Sequence, residues 1–240
     1  SISDIYYFGA FIMKFAKSAV FAATMLSAVN VMAAEVSGNV TVATDYFFRA
    51  IDQSNGEALS GGFDVAFESG FYIGTWGSSI ASWGEGIELD YYAGYGGSIS
   101  EDVGYDLGFM HYGYPNESTG TLDFDEIYGS VSFGDASVGF AYSDDYFGGS
   151  GEMTLISFEY GVDVTEDYSV GFRIASNKIE DNVTFGTEDY VDWSLSLGTE
   201  AAGLEFSLTY TDTDLDAADC FGGDTEACSA NVTFSITKSM

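Results

Sequence analysis

The chain has 240 residues, with 6 Lys and Arg against 38 Asp and Glu, which gives a formal net charge of −32. This composition excludes nucleic acid as a partner, because a protein that binds phosphates needs a basic surface. The chain also contains 30 Gly, 20 Phe and 17 Tyr but a single Pro. Many glycines and aromatic residues in short alternating segments are typical of an antiparallel sheet closed on itself.

Residues 1–34 predict an upstream leader followed by a secretory signal peptide. Two lysines close to Met13 form a short positive region, and a run of small and apolar residues without charge follows them. The alternative is a transmembrane helix, but the uncharged run is shorter than the roughly 20 residues that a helical span needs. We expect translation to start at Met13, cleavage near Ala33 or Ala34, and a single mature domain over 35–240.

Residues 38–49 are predicted to form the first strand of the mature chain. In the sequence VSGNVTVATDYFF, which begins at Val36, polar and apolar residues alternate with a period of two. Val42, Tyr46 and Phe48 fall on one side, and Asp45 falls on the other. This period indicates a β-strand and not a helix.

Eleven further segments repeat the alternation. The predicted strands are 61–68, 71–80, 87–96, 103–113, 123–133, 136–143, 153–162, 168–176, 189–198, 203–211 and 230–240. Turns such as Ser69-Gly70 and Gly134-Asp135 are short, and they alternate with longer acidic loops. Short turns at one end, long loops at the other and an even strand number are typical of outer-membrane barrels. The predicted fold is therefore all-β, a transmembrane antiparallel up-and-down β-barrel of about 12 strands, with both termini at the periplasmic turn end.

Alternation alone does not distinguish a membrane barrel from a soluble β-sandwich. The apolar faces of the predicted strands carry no Asp, Glu, Lys or Arg, as contact with lipid requires. Aromatic residues also gather near the strand ends, as in the interfacial girdles of membrane proteins. These residues are Tyr46, Phe48, Phe71, Tyr72, Tyr142, Tyr160, Tyr168 and Tyr210. We therefore expect the apolar faces to contact lipid and the polar faces to surround the barrel axis.

The segment VSGNVTVATDYFFRAIDQSNGEALSGGFDVAFESGFYIGTWGSS (36–79) resembles the opening signature of the TorF-type porin family, Gcw_chp-domain proteins of Gram-negative bacteria. The tail NVTFSITKSM (231–240) is similar to the end of that family, apart from Met240, where outer-membrane barrels usually end in Phe or Trp. The resemblance implies a multi-pass β-barrel in the cell outer membrane. We expect export through the periplasm, insertion by the barrel-assembly machinery, and contact with outer-membrane lipid and lipopolysaccharide. The family has no firmly known substrate, so the resemblance implies the cellular location and the architecture more than the chemistry.

The polar face of the predicted strands is strongly acidic. We predict that it lines a pore, with Asp45, Arg49, Asp64, Glu68, Glu88, Asp90, Asp106, Glu126, Glu159, Arg173, Asp192 and Glu205 as the pore-lining residues. Acidic linings favour cations, so the prediction is a porin-like channel for small solutes or ions with a preference for cations. In the alternative, the acids pair around the two arginines and plug the barrel. The protein is then a closed structural or adhesive barrel that acts through acidic extracellular loops.

Cys220 and Cys228 are the two cysteines of the chain, and both lie in the longest predicted loop, 212–229. The periplasm is oxidising, so we predict a disulfide bond between them. A zinc pair is the weaker alternative, because no histidine is nearby.

The same loop carries the acidic series Asp212, Asp214 and Asp216. Its spacing is similar to that of a calcium-binding loop, but Ala217 stands where such a loop needs Gly. We interpret the series as a solvated acidic loop, with diffuse binding of divalent cations as the alternative.

His111 is the sole histidine. We predict that it lies on the apolar face near a strand end, as an interfacial residue. Outer-membrane hydrolysis is a third hypothesis, but no Ser–His–Asp set can be assembled around His111 from the sequence. The sequence therefore predicts no enzymatic activity and no cofactor.

Overall fold

The computed structural model describes residues 34–81, 86–117, 122–216, 218–224 and 226–240. Twelve long strands form one closed antiparallel barrel, in which each strand pairs with its neighbours along the chain and the first pairs with the last. The predicted closed up-and-down barrel with twelve strands is confirmed. The predicted leader and signal peptide lie outside the described residues, apart from Ala34 at their end.

The strands are numbered in chain order. They are β1 (Ala34–Ala43), β2 (Phe47–Phe48), β3 (Ile51–Asp52), β4 (Ala58–Phe67), β5 (Phe71–Ile80), β6 (Gly86–Ser98), β7 (Val103–Gly113), β8 (Phe124–Phe133), β9 (Ala136–Ser143), β10 (Met153–Asp163), β11 (Tyr168–Ile179), β12 (Tyr190–Ala201), β13 (Leu204–Thr213) and β14 (Asn231–Ser239). The barrel consists of β1 and β4–β14, and β2 and β3 form a separate small hairpin. A short helix, α1 (Asn182–Phe185), lies between β11 and β12.

The predicted bounds of the first strand were wrong. It was predicted over 38–49, but β1 starts at Ala34 and ends at Ala43. Its neighbour β4 begins at Ala58, directly opposite Ala43, so the residues after Ala43 have no ladder partner on that side. The chain then reverses at Arg49 and Ala50, which have φ angles of 51° and 61°. Residues 44–57 therefore form a separate segment, which we call the plug.

Large apolar side chains of the barrel strands point outward. Phe63 is 62% exposed, Leu107 54%, Phe133 56% and Leu195 53%. A water-soluble protein does not expose so extended an apolar surface. The exterior is therefore the lipid-facing surface of a transmembrane barrel. As for the helices of the described chain, none combines the length and the apolar character that a membrane span needs.

The predicted aromatic girdle is partly corrected. Phe71, Tyr142, Tyr160, Tyr168 and Tyr210 are exposed on the outer surface, between 36% and 48%. Three other residues assigned to the girdle, Tyr46, Phe48 and Tyr72, contact the barrel interior instead. The reasons are that the first strand ends early and that Tyr72 occupies an inward position of β5.

The connections alternate as predicted. One end, which we call the turn end, has short turns at 68–70, 99–102, 134–135, 164–167 and 202–203. Gly38 and Met240 are joined by backbone hydrogen bonds of 3.2 and 2.8 Å, which bring the start of β1 and the end of β14 to this same end. The longer connections, including the plug, lie at the opposite loop end.

The packed core of the molecule lies inside the barrel at the loop end. Inward side chains of the strands and side chains of the loops meet there, and most are less than 10% exposed. They include Phe48, Tyr112, Phe124, Tyr146, Met153, Ile179, Phe185 and Tyr190. The loop connections therefore fold over and into this end of the barrel.

Candidate functional site: the plug and the acidic barrel interior

The plug occupies the interior of the barrel at the loop end. The ring of Tyr46 lies 5.4 Å from that of Trp76 on β5, and the ring of Phe48 lies 5.4 Å from that of Tyr112 on β7. Most plug side chains after residue 47 are buried; Ile51, for example, is 3% exposed. Because these contacts reach separate strands, the plug crosses the barrel interior and does not lie on its rim.

Backbone hydrogen bonds fix the plug to two loops. The Asp52 amide donates to the Ala227 carbonyl at 2.9 Å, and the Ala81 amide donates to the Gln53 carbonyl at 3.0 Å. Within the plug, the Ser54 hydroxyl donates to Asp45 at 2.7 Å. The plug is therefore attached through its own turn and through neighbouring loops, without becoming part of the barrel sheet.

Arg49 lies at the tip of the plug in a polar and aromatic enclosure. Its Nη2 donates to Glu126 Oε1 at 2.6 Å, and its Nη1 donates to Met153 Sδ at 3.4 Å. The guanidinium carbon is 4.7 Å from the ring centre of Phe48 and 5.5 Å from that of Tyr146. We call Phe48, Glu126, Tyr146 and Met153 the Arg49 cage. Such a combination of carboxylate, aromatic faces and sulfur is suited to hold a guanidinium group.

Burial and nearby charges shift the pKa values of plug and loop residues in and around the cage. Burial alone lowers the pKa of Arg49, but the Glu126 carboxylate and the neighbouring tyrosines together outweigh burial, and the pKa is raised overall. Burial raises the pKa of Tyr146 to about 12. Burial, followed by the proximity of Glu88, also raises the pKa of Tyr46. Arg49 therefore remains charged and both phenols remain neutral hydrogen-bond donors at physiological pH.

Three inward carboxyl groups on β6 and β8 lie around the plug, and we call Glu88, Asp90 and Glu126 the acid cluster. Their exposures are 1%, 4% and 1%. Tyr46 and Tyr114 donate to the two oxygens of Glu88 at 2.9 and 3.1 Å. Asp90 Oδ1, by contrast, is buried and accepts no hydrogen bond from any described residue.

Between the plug and the turn end, the interior wall on β4–β8 carries tyrosine–carboxylate pairs. Tyr92 donates to Asp64 at 2.6 Å, and Tyr72 donates to Asp106 at 2.9 Å. The hydroxyl groups of Tyr72 and Tyr128 are 2.7 Å apart. Asp64 and Asp106 are themselves partly exposed. We call this part of the interior the vestibule.

Inward glycines leave room for the vestibule tyrosines. A Cβ atom added at Gly74, Gly94 or Gly108 would overlap the ring of Tyr92, Tyr72 or Tyr128 respectively. Each ring therefore lies flat against a neighbouring strand instead of projecting toward the barrel axis. This arrangement keeps the phenols on the wall and leaves the axis less crowded.

The opposite wall, formed by β10–β12, carries the second arginine. Arg173 forms ion pairs with Asp192 and, at 3.7 Å, with Glu159. Asn177 also donates to Asp192 at 2.8 Å. Asp192 is 2% exposed at its side chain, whereas Glu159 is 31% exposed. The ion-pair network thus extends from the packed loop end toward the solvated part of the interior.

Three residues of the predicted pore-lining set lie away from the clusters around Arg49 and Arg173. Asp45 is at the base of the plug and accepts hydrogen bonds from Tyr46 N and Ser54. Glu68 is exposed in the first turn. Glu205 occupies an inward position of β13 near the turn end, where it accepts a hydrogen bond from Ser239. The structure therefore brings Arg49 together with Glu126, and Arg173 together with Glu159 and Asp192, but leaves these three acids apart.

Sequence reasoning missed the site roles of the plug aromatics. Tyr46 and Phe48 fit the alternating pattern of the first strand, which placed them toward lipid. One signal was available, namely that a rare arginine follows them directly in an acidic chain. A buried cation needs a carboxylate partner, and this requirement argues against a regular strand leading into an ordinary loop.

The long loops close over the loop end through aromatic contacts. Tyr146 and Phe185 have ring centres 5.3 Å apart, and Phe185 and Phe221 have ring centres 5.7 Å apart. Cys220 and Cys228 form a disulfide bond, as predicted. No group of three or more potential metal ligands occurs within the described ranges, which include Asp212, Asp214 and Asp216.

His111 lies on the outward face near the loop end of β7. Its Nδ1 is 2.7 Å from Asp125 Oδ1, and its ring stacks on Tyr91 at 6.5 Å. Asp125 and the exposed Lys178 also place charge on the outer surface, because the observed pairing carries β8 and β11 up to these positions. Lys238, which pairs with Val40, is also exposed on this face near the turn end, so the outward face is free of charge only away from its two margins.

The fold and the polar interior define a class of protein, a twelve-stranded transmembrane antiparallel β-barrel. The chain is similar in structure to the KdgM porin, with a TM-score of 0.53 and 11% identity over 85% of this chain and 99% of that chain. A KdgM porin in complex with disordered oligogalacturonate gives 0.53 and 9% over 86% and 98%. The NanC porin gives 0.54 and 11% over 85% and 98%. Because the sequence identities are this low, the structural similarity shows a shared fold alone.

The sequence identifies the family. Residues 28–240 match the family model described as bacterial protein of unknown function (Gcw_chp), and the chain belongs to this family. The predicted family membership is therefore confirmed. No curated protein matches the sequence.

Proposed function

We propose that the protein is a porin-like channel of the outer membrane for the passive passage of small solutes or ions, with a preference for cations. The observation that carries this proposal is the polar, partly exposed vestibule inside a barrel whose exterior is apolar. A closed barrel with this arrangement can hold water along its axis. The plug at the loop end then limits passage.

The charge of the interior supports the preference for cations. Asp64, Asp106 and Glu159 are partly exposed carboxylates of the interior, and Arg173 is paired with acids. Acidic linings attract cations and repel anions. One structural neighbour was solved with oligogalacturonate, an acidic polymer. The acidic interior of the present barrel favours solutes of the opposite charge.

We further propose that the chain is exported through the periplasm and inserted by the barrel-assembly machinery, with its loop end outside the cell. The signal-peptide pattern supports export. The exposed aromatic residues of the outer surface support contact with outer-membrane lipid and lipopolysaccharide. In this orientation the plug and the disulfide-bonded loop face the outside, and the vestibule opens toward the periplasm.

A second candidate function is a closed structural or adhesive barrel. The packed aromatic core at the loop end favours it, because these side chains fill the interior there. In this case the acidic loops would be the functional surface, and no solute would cross the barrel.

Single-channel recording in planar bilayers distinguishes the two functions. We expect discrete conductance steps and, in a KCl gradient, a reversal potential shifted toward that of K⁺. Exchange of Asp64 and Asp106 for Asn should reduce this shift, whereas exchange of the exposed turn residue Glu166 for Gln should leave it unchanged. A reversal potential on the Cl⁻ side would contradict the cation preference. Absence of conductance, in the wild type and in a variant lacking the plug, would favour the closed barrel.

A further inference from the structure

The Arg49 cage combines three kinds of contact that stabilise a guanidinium group, namely a carboxylate, aromatic faces and a sulfur atom. Glu126 and Met153 on the barrel wall supply the charge and a soft acceptor, and Tyr146 in the loop after β9 supplies an aromatic face. Phe48 adds a second aromatic face from within the plug itself. Arg49 reaches the cage on a short segment that leaves the barrel sheet at Ala43. The plug thus presents a tethered cation to a binding site built by the barrel wall and one loop.

The backbone that presents Arg49 is unfavourable for its sequence. Both Arg49 and Ala50 adopt left-handed conformations, with φ of 51° and 61°. Residues with a Cβ atom rarely adopt this conformation, and such strain often occurs at switch segments. Contacts of the plug with the cage must therefore compensate for the strain. A competitor for the cage removes that compensation.

The acid cluster also has more acceptor capacity than the plug uses. Asp90 is 4% exposed, and its Oδ1 accepts no hydrogen bond within the described chain. Three buried carboxyl groups thus face the plug, and the guanidinium group of Arg49 donates to Glu126 among them. A second positive or hydrogen-donating group therefore complements the site.

We propose that the Arg49 cage and the acid cluster bind a small organic cation with a guanidinium or primary ammonium group, and that this solute displaces Arg49 and releases the plug. The inference rests on the proposed channel function. It adds the chemical class of the solute and identifies the plug as the gate of the channel. Arg49 acts as an internal competitor. The solute's cationic group replaces Arg49 at Glu126, and a second donor group on the same solute reaches Asp90.

Trp76 provides a readout that does not depend on conductance. Its ring lies 5.4 Å from that of Tyr46 in the plug, so release of the plug changes its surroundings. Agmatine, which carries a guanidinium and a primary ammonium group, is the probe. Glutarate at equal ionic strength is the control of opposite charge. We expect a saturable change in tryptophan fluorescence with agmatine in detergent-solubilised protein, none with glutarate, and loss of the change in Trp76→Phe.

Variants at the cage separate binding from a purely structural role. Arg49→Gln removes the internal competitor, and we expect it to tighten agmatine binding by about tenfold or more. Glu126→Gln removes the main carboxylate, and we expect it to weaken binding by a similar factor. We expect Arg49→Lys to resemble the wild type more closely than Arg49→Gln. Equal weakening in Arg49→Gln and Glu126→Gln, or no saturable binding to folded wild type, would overturn the proposal.

The outcomes for the gate and for the channel are distinguishable. If the protein conducts cations but agmatine neither binds nor raises the open probability, the cage proposal is wrong and the channel function stands. If agmatine binds with the expected order of affinities but no variant conducts, the channel function is wrong and the cage is a binding site of a closed barrel. If agmatine binds and raises the open probability, both proposals are supported.

Discussion

Nη2 of Arg49 lies 2.6 Å from Oε1 of Glu126, although the two residues are 77 positions apart in the chain. The contact crosses the barrel interior from the plug to β8. Both side chains are almost completely buried, with exposures of 5% and 1%. This ion pair therefore helps to hold the first loop inside the barrel, together with the backbone hydrogen bonds of Asp52 and Gln53.

We expect Arg49→Ala to destabilise the docked plug by about 3–5 kcal/mol, because Glu126 would be left buried without a cation. Chemical unfolding monitored by tryptophan fluorescence measures the loss, and single-channel recording measures the accompanying rise in open probability. Lys238→Ala, at an exposed cation near the turn end, is the control and should change stability by less than about 0.5 kcal/mol. In the double variant Arg49→Ala and Glu126→Gln, most of the loss should be recovered. Additive losses would contradict a direct pair.

We expect Gly94→Ala to destabilise the barrel by about 1–3 kcal/mol. The new Cβ would overlap the Tyr72 ring and lie 2.9 Å from the Leu107 carbonyl oxygen. Tyr72 cannot move freely, because it is 2% exposed and hydrogen-bonded to Asp106. The displaced ring should also narrow the vestibule and reduce single-channel conductance.

Gly161→Ala is the matched control for this glycine, because a Cβ at Gly161 has no heavy atom within 4 Å. The same chemical change should leave both the unfolding free energy and the conductance close to those of the wild type. An equal effect of the two exchanges would show that backbone freedom, and not ring packing, is responsible.

We expect acidification to hold the plug more tightly. Burial, together with the neighbouring Asp45 carboxylate, raises the pKa of Asp52 in the docked plug above its usual value. The docked state therefore binds the proton more strongly than the released state, so docking is favoured at low pH and weakens as pH rises through the raised pKa. Open probability should fall between neutral pH and about pH 4. In Asp52→Asn this part of the pH dependence should be absent, and an opposite slope in the wild type would contradict it.

We expect loss of the disulfide bond between Cys220 and Cys228 to weaken the contact of the plug with the loop that this bond closes. The two cysteines are 8 positions apart, and Ala227 between them accepts a hydrogen bond from the Asp52 amide. Closing a loop of this size contributes roughly 2–3 kcal/mol in the chain-entropy model. Exchange of both cysteines for Ser, or reduction of the wild type, should increase proteolysis near the plug and raise open probability. A reductant should not change the Ser variant further.

The barrel itself was predictable because the alternation of polar and apolar residues within each strand shows which side chains face outward. Period-two alternation is a local property, and the side chain that follows an outward residue must point inward. Val138 and Phe140, for example, were assigned to the apolar side and are 48% and 39% exposed. Turns could also be predicted from their residue types, as at Gly134, which has a φ of 57°.

The plug was not predictable in the same way. Tyr46 and Phe48 continue the alternation of the first strand without interruption, so the pattern gave no sign of the end at Ala43. That end depends on where β4 begins, which is a property of the neighbouring strand. Asp90 presents a similar case, because its position on the polar face was correctly assigned but its unsatisfied oxygen depends on the packing of Glu88 and Tyr114.

Strand number, facing and the two kinds of connection therefore follow from the chain's own alternation, because they depend on residues close together in sequence. The insertion of residues 44–57, the pairing of Arg49 with Glu126 and the flat rings of Tyr72 and Tyr92 depend on the closed barrel. Closure brings distant strands within a few ångströms of one another, and there each buried charge must find its partner and each ring must find a glycine to lie against. Those contacts, absent from any single stretch of sequence, decide where the plug lies and which charges and rings it meets.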